Sequence, residues 1–551
     1  MENTNTFKVG LCMAGAISAG AYTAGVIDYL LEALEEWQKR KDAGQANVPS
    51  HNVEIPVIGG ASAGGMTGVV TASALYDHII PVKTAPQNIF EEIKTNKFYH
   101  SWVDLVAENM MEVMLDTSDI SKTGVESGLN AEFIDQIADR AVSVNGNQPV
   151  ERKYIAKHLK VFVTLSNLNG IDYSVTFRSN TPQLDKYIIT SHNDYVCFMI
   201  ADDESQYNND GWIPLNFSKK LNSDLAKDAA MATGAFPIGL KARKVKRKGK
   251  YLNDLDWLKH ITRDAQQPFP DVEYPTINID GGMINNEPFD QLRKILVEET
   301  SQSKPEEYQN FNTFKSTILM IDPFPSQPED FKGNTGLMSV VGNTLGALID
   351  QSRIKPSTLI NAMDSNNAGQ FLIAPVRYEK SKSIEGSLAI ACGSLNGFGG
   401  FISKEFRIHD YFLGRANCEK FLRDHFTVPI NTTNPIFVNG YANIADKSNY
   451  ISTTDGGLQI IPIFTPRQES PYMPTFSNGK QFPTVSESYI KSYKGSLKKR
   501  VEKILLNIAK YNQTQRALIW IGAKVMLNGK VANAAIETIL ESLEKHRLLN
   551  K

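Results

Sequence analysis

Ser62 is the residue of this chain best placed to act as a nucleophile. It lies in Gly60-Ala61-Ser62-Ala63-Gly64, directly after the apolar run Val53–Ile58 and just ahead of the small-residue stretch Gly65–Ala72. Strand, sharp turn and helix in that order are the context in which a G-x-S-x-G becomes a nucleophile elbow. Gly60 and Gly64 lack a Cβ, so the backbone can take the strained turn that lifts the serine Oγ clear. The following helix then aims unpaired N–H groups and a partial positive charge at the developing negative charge. The chemistry this suits is acyl transfer.

Acyl transfer needs donors for the carbonyl oxygen as it becomes an oxyanion. The N–H of Ala63, just after the serine, is one candidate. A second strand–loop–helix supplies others: strand Phe7–Met13, a small-residue loop, and a helix from about Gly20 to Lys39. In that loop Gly15, Ala16 and Ile17 offer backbone N–H groups, each typically worth roughly 3 kcal/mol of barrier when aimed at the oxyanion. A tight β–α turn that merely permits close packing is the alternative. Along the helix, Val26, Leu30, Ala33, Leu34 and Trp37 share an apolar face, and Asp28, Glu32, Glu35 and Glu36 fall opposite, towards solvent.

The serine also needs a base, and two mechanisms compete. A Ser-His-acid triad in the chain order of the α/β-hydrolases needs a late histidine. His409 and His425 come late enough, but His409 sits in the charged stretch Glu405–Asp410. The other mechanism uses Asp280. The segment Thr276–Pro288 reads as a short strand delivering this aspartate into the turn Gly281-Gly282. A carboxylate at the C-terminal end of a strand in an open α/β sheet points at the crevice where ligands bind. Within reach of Ser62 Oγ it can take the proton directly. The competing reading is a turn aspartate that caps its own backbone.

Taken together, Gly60–Gly64 and the later Asp280-Gly281-Gly282 resemble the patatin-like phospholipase family, which uses a Ser-Asp dyad. Three further segments agree in order. Gly20–Ile27 is similar to the end of the family's oxyanion loop and its first helix, Ala230–Pro237 to the small-residue segment before the aspartate, and Met283–Asn286 through Pro288 to the tail after the D-G-G turn. The loop itself departs: the family commonly has G-G-G-x-R/K-G, whereas Gly15-Ala16-Ile17-Ser18-Ala19-Gly20 keeps the first and last glycines and has Ala19 at the basic position. The backbone donors survive such changes, because each residue keeps its N–H. The resemblance implies an α/β fold: a three-layer sandwich with a mostly parallel central sheet, a helical insertion and a largely helical C-terminal extension. It also implies a hydrolase of phospholipid or related acyl esters, with Ser62 and Asp280 catalytic and no metal or organic cofactor. On the same dyad, a thioesterase, transacylase or small-ester carboxylesterase is the rival. A weakly catalytic lipid-binding module is the rival from outside catalysis.

The rest of the 551 residues accords with this. Apolar residues are 42% and charged residues 21%, near globular averages, and the net charge of −2 provides no general field for nucleic acid. The four cysteines are scattered, which suits a reducing compartment and no zinc site. Uncharged Val9–Ile27 superficially resembles a signal peptide but is broken by Gly10, Gly15, Gly20 and Gly25. A cytoplasmic protein is expected, with peripheral contact at a membrane surface.

The organisation divides into a catalytic domain over 5–325, with an insertion at about 80–155, and an extension over 326–551. Core strands are expected at Phe7–Met13, Val53–Gly59, Lys160–Ser166, Thr276–Asp280 and Thr317–Ile321. Within the insertion, Trp102–Leu115 carries a methionine-rich stripe at helical spacing, suited to core packing, to an acyl pocket or to a lid. In the extension, helices are expected at Thr344–Arg353, Ile490–Tyr511 and Val531–Leu549. There, Gly399–Phe406 through Arg415 resembles a tail of a bacterial branch of the family, with no chemistry assigned to it. Lys241–Lys250 holds seven basic residues in ten, which reads as a solvated hairpin or as a patch drawn to anionic lipid.

Overall fold

In the computed structural model of the protein, the described residues are 5–86, 96–121, 124–176, 186–255, 269–325, 367–509 and 530–550. Strands alternating with helices build one nine-stranded sheet. Its main path runs β5 (Ile213–Leu215), β4 (Lys186–Ile200), β3 (Ile155–Thr176), β2 (Asn52–Gly60), β1 (Thr6–Met13), β8 (Ser316–Ile321), β9 (Gln370–Ile373). The centre is parallel, β3–β2–β1–β8–β9, whereas β4 lies antiparallel to β3. Two more strands branch off: β7 (Glu273–Asp280) pairs antiparallel with β3, and β6 (Arg243–Lys248) pairs with β7.

Both faces of the sheet are covered, and strand alternation shows how. Leu11, Met13, Ile58, Val161, Val163, Leu319 and Ile321 point into one core with helices α1 (Gly20–Asp42) and α2 (Ser62–Ala74). Their neighbours Cys12, Val57, Phe162, Ile318 and Met320 point the other way, onto Leu292, Ile295 and Leu296 of the Phe289–Thr300 helix. Strands buried on both faces read as near-continuous apolar runs, as these do. The result is an α/β three-layer sandwich with a helical C-terminal region.

The Lys404–Asp424 helix of that region lies along α1. Small residues permit the crossing: a Cβ on Gly25 would sit 1.9 Å from the carbonyl oxygen of Tyr411, and one on Gly414 would sit 2.2 Å from that of Tyr22. This packing corrects the expected solvent face of α1. Asp28 is wholly buried, ion-paired with Arg415 and accepting hydrogen bonds from Asn96 Nδ2 (2.8 Å) and the Val82 N–H (3.1 Å). Burial raises its pKa even though Arg415 opposes the shift.

Two other expectations change, and one lies outside the described residues. Trp102–Leu115 is not one helix: a π-turn at His100–Asp104 ends at Leu105, where φ is +53°, and a new helix runs Met110–Leu115. Its stripe is core packing, since Leu105, Met110 and Met114 cluster with Phe133, Ile137 and Phe401. The span Ile490–Tyr511 holds two helices, Glu487–Ser492 and Lys494–Asn507, broken at Tyr493, whose buried hydroxyl donates to Asn109 Oδ1 at 2.8 Å. Thr344–Arg353 lies outside the described residues.

The basic run is strand β6, and its alternation decides what each charge does. Arg243 and Arg247 turn inward, Arg243 onto Asp135 (2.6 Å) and Arg247 onto Asp194 (3.0 Å). Lys244, Lys246 and Lys248 turn outward, where lysines protect a sheet edge from further pairing. Among the described residues, no helix is long and apolar enough to cross a membrane.

Candidate active site

Strand β2 runs straight into α2, and the turn between them places Ser62 at a φ of +50°. A serine in the left-handed region is uncommon and holds only where its surroundings fix it. Here the fixing is specific. The Ser62 N–H donates to Thr233 Oγ1 at 2.8 Å, and Gly64 is pressed so closely on β1 that a Cβ would fall 2.1 Å from the Met13 carbonyl oxygen. Gly60 packs on the backbone of Gly64 in the same manner.

Strand β7 delivers Asp280 to this turn from the opposite direction. Residue Leu165 of β3 stands beside Asp280, two residues beyond Val163, the partner of Gly60 at the end of β2. The aspartate therefore reaches the carboxyl edge of the parallel strands on an antiparallel one, and it ends beside Ser62. Ser62 Oγ donates to Asp280 Oδ2 at 2.6 Å; the serine is 4% exposed and the aspartate 3%. The other carboxylate oxygen, Oδ1, accepts from the Gly282 N–H at 2.7 Å. The Asp280 backbone is anchored as well, its N–H donating to the Ala235 carbonyl and its own carbonyl accepting from Ser166 Oγ. Gly281 abuts the Thr164 carbonyl, and Gly282 abuts the Asn286 amide.

The loop after β1 forms the facing wall. Gly15 lies against the serine itself: a Cβ there would be 2.9 Å from Ser62 Cβ. Its N–H donates to Asn286 Oδ1 at 3.0 Å, so that one of the three expected donors is already engaged. No acceptor takes the N–H of Ala16, Ile17 or Ala63 among the described residues. Ile17 has a φ of +48°, a strained setting for a β-branched side chain. Ala19 is wholly buried, so a basic side chain at that position would have no water to reach.

What holds this loop is the segment to which the sequence assigned no chemistry. Ser18 Oγ donates to the Gly397 carbonyl and accepts from the Gly400 N–H at 2.9 Å. That segment is fixed in turn by Asp410, whose carboxylate accepts from the Ala391 and Cys392 N–H groups, both at 2.8 Å. Thr233 and Asn286 were also missed as individual residues, although both lie in stretches singled out by resemblance. The signal lay in the resemblance of the stretches Ala230–Pro237 and Met283–Pro288, not in the residue types.

Other nucleophiles and bases are occupied elsewhere. All four cysteines are buried and unpaired, and burial pushes the Cys12 thiol far up and that of Cys197 up to about 12. His409 is hydrogen-bonded through Nδ1 to Asp410 (2.7 Å) and packed on Phe482. His51 is buried against Trp37 and Phe437, with its Nε2 2.9 Å from the Ile460 carbonyl oxygen.

A serine on a strained strand-to-helix turn, hydrogen-bonded to a carboxylate at the end of an α/β sheet, defines a serine–carboxylate class of site. The sequence model of that class named "Patatin-like phospholipase" matches residues 11–293, and the chain belongs to this family. Its reaction at the family level is therefore lipid acyl hydrolysis. An uncharacterized protein of Sinorhizobium fredii (strain NBRC 101917 / NGR234), y4iI, is 31% identical over 505 residues, covering 83% of this chain and 71% of its own length. Among solved structures, VipD from Legionella pneumophila is similar at 10% identity over 98% of this chain and 88% of that one, with a TM-score of 0.20.

Proposed function

We propose that this protein is a phospholipase A-type serine hydrolase that cleaves acyl esters of phospholipids or related lipids through Ser62 and Asp280. The observation that carries the reading is the 2.6 Å hydrogen bond from Ser62 Oγ to Asp280 Oδ2. Asp280 takes the serine proton as Oγ attacks the ester carbonyl carbon, and the carbonyl oxygen becomes an oxyanion. The N–H of Ala63 and those of Ala16 and Ile17 receive it. Gly15 serves a different role, its N–H holding Asn286 and its missing side chain leaving room for Ser62. As the tetrahedral species collapses, the ester C–O bond breaks and Asp280 returns its proton to the departing lysolipid or alcohol. Water, deprotonated by Asp280, then attacks the acyl-enzyme; the proton passes back to Ser62 Oγ and the fatty acid leaves.

Ile17 packs against the buried cluster of Leu105, Met110 and Phe401, which ties the oxyanion loop to the apolar core. The outward lysines of β6 suit peripheral contact with anionic lipid, each adding about 1 kcal/mol near such a surface. The test is fatty-acid release from phospholipid vesicles compared with release from soluble acyl esters and thioesters, using wild type and Ser62→Ala. Preferential, Ser62-dependent release from vesicles is expected. Turnover confined to soluble esters or thioesters would replace the phospholipase reading with that rival, and undiminished turnover by Ser62→Ala would remove the serine mechanism.

A further inference from the structure

Away from Ser62, the C-terminal region encloses a cavity of about 730 Å³. Its walls are the Val376–Glu385 hairpin, the Lys404–Asp424 helix and the chain from Arg467 to Thr484. Small-molecule sites typically span about 300–1,000 Å³, so the volume suits a metabolite rather than a water cluster.

The lining is cationic in a protein whose net charge is −2. Seven of its side chains are Lys or Arg and four are Asp or Glu. Glu379 is shared by Arg377 and Arg547, at 3.5 and 3.2 Å; Glu419 takes Arg423, and Asp424 takes Arg467. Among the described residues, Lys420 donates only to a neutral group, the Tyr378 hydroxyl, at 2.6 Å. Lys420, Lys480 and Arg547 are exposed, so the surplus positive charge stands at the rim.

The inner wall carries an independent sign of a missing partner. His409 lines the cavity and is wholly buried, and its Nε2 has no hydrogen-bond partner among the described residues, while Nδ1 is committed to Asp410. Buried polar atoms are nearly always paired, and a ligand oxygen would complete this one once the side chains packed on the ring, Phe482 among them, move aside. Several guanidinium and ammonium groups around one space suit a group with several charged oxygens, which a phosphate has. Tyr378 and Phe482 in the same lining carry Lys420 and Arg377 over their rings, at 4.3 and 3.8 Å, which sets these cations against the cavity wall.

We propose that this cavity is a binding site for a phosphate-bearing ligand, held by Lys420, Lys480 and Arg547 at the rim, and reaching towards His409. Nothing in this proposal depends on hydrolysis by Ser62. The shared chemistry is the phosphate, and its source is either a soluble compound or a lipid head group.

The test uses the full-length protein at low salt. Calorimetric titration with inorganic pyrophosphate and with a nucleoside monophosphate probes the soluble source. Co-sedimentation with phosphatidylcholine vesicles, with and without phosphatidic acid, probes the head group. The double reversal Lys420→Glu/Lys480→Glu changes exposed side chains, and an unaltered Tm verifies its fold; Arg547→Glu is the second variant. Binding of either class of probe, weakened about tenfold or more by these reversals, supports the site and identifies the source. No binding of any probe, or binding equally strong in both variants, overturns it.

Discussion

The two walls around Ser62 are built in different ways. The wall behind it consists of β2, the turn into α2, and Asp280 at the end of β7, elements of the sheet held by contacts among themselves. The wall in front, Gly15 to Ala19, is fastened from outside the sheet by Ser18 to Gly397 and Gly400, on a segment that Asp410 braces. In the proposed mechanism the first wall supplies the reacting atoms, and the second positions backbone N–H groups for the charge that develops on the substrate. Residues more than 300 positions downstream thereby hold the loop that faces Ser62 without approaching the serine's own oxygen.

Substitutions separate the two walls, and the largest effect belongs to the first. Asp280→Asn should lower ester turnover about ten-thousandfold, as removal of the carboxylate partner does in related nucleophile–base units, with the Tm little changed. A loss below about tenfold would transfer the base role to another group.

Next comes the joint between the halves. Arg415→Ala leaves the carboxyl of Asp28 buried without its cation and should cost about 4 kcal/mol in urea unfolding. A loss close to zero would mean that the Lys404–Asp424 helix can leave α1 without consequence.

His51 gives a smaller, pH-dependent effect at the same joint. Burial lowers its pKa from 6.5 to about 4, so the folded state holds it neutral where the unfolded chain protonates it. A depressed value makes this contribution complete near pH 7 and diminishing as the pH falls from about 6.5 towards 4. Between pH 7 and pH 5 the loss is about 2 kcal/mol, and it should shrink in His51→Gln. Equal losses in the two proteins would assign the pH dependence to other groups.

The smallest effect belongs to the front wall. Ser18→Ala removes the tie to Gly397 and Gly400, which should lower kcat about tenfold with little change in KM or Tm. Unchanged kcat would show that the loop is positioned without the C-terminal region.

The same contrast explains what could be read from the sequence. Ser62 and Asp280 stood out because a strained turn and a close backbone approach require glycine, two residues to each side of the serine and directly after the aspartate, and those constraints are local. The strands were legible for a similar reason, since burial on both faces leaves continuous apolar runs. Asp28 was misplaced because helical periodicity sends a carboxylate to solvent unless a partner arrives from elsewhere, and Arg415 lies 387 residues away. Ser18, Asn286 and Thr233 act through contacts that are distant in sequence, and their residue types alone give no sign of them. In the basic run, composition counted seven charges, whereas strand alternation turned Arg243 and Arg247 inward and left three lysines facing out.

The central claim is that Ser62 is a nucleophile activated by Asp280. Its most direct test is covalent labelling by a fluorophosphonate probe, followed by mass spectrometry of the modified peptide. The account predicts one label on Ser62, none in Ser62→Ala, and strongly slowed labelling in Asp280→Asn. A label on any other residue, or labelling of Asp280→Asn at the wild-type rate, would contradict it.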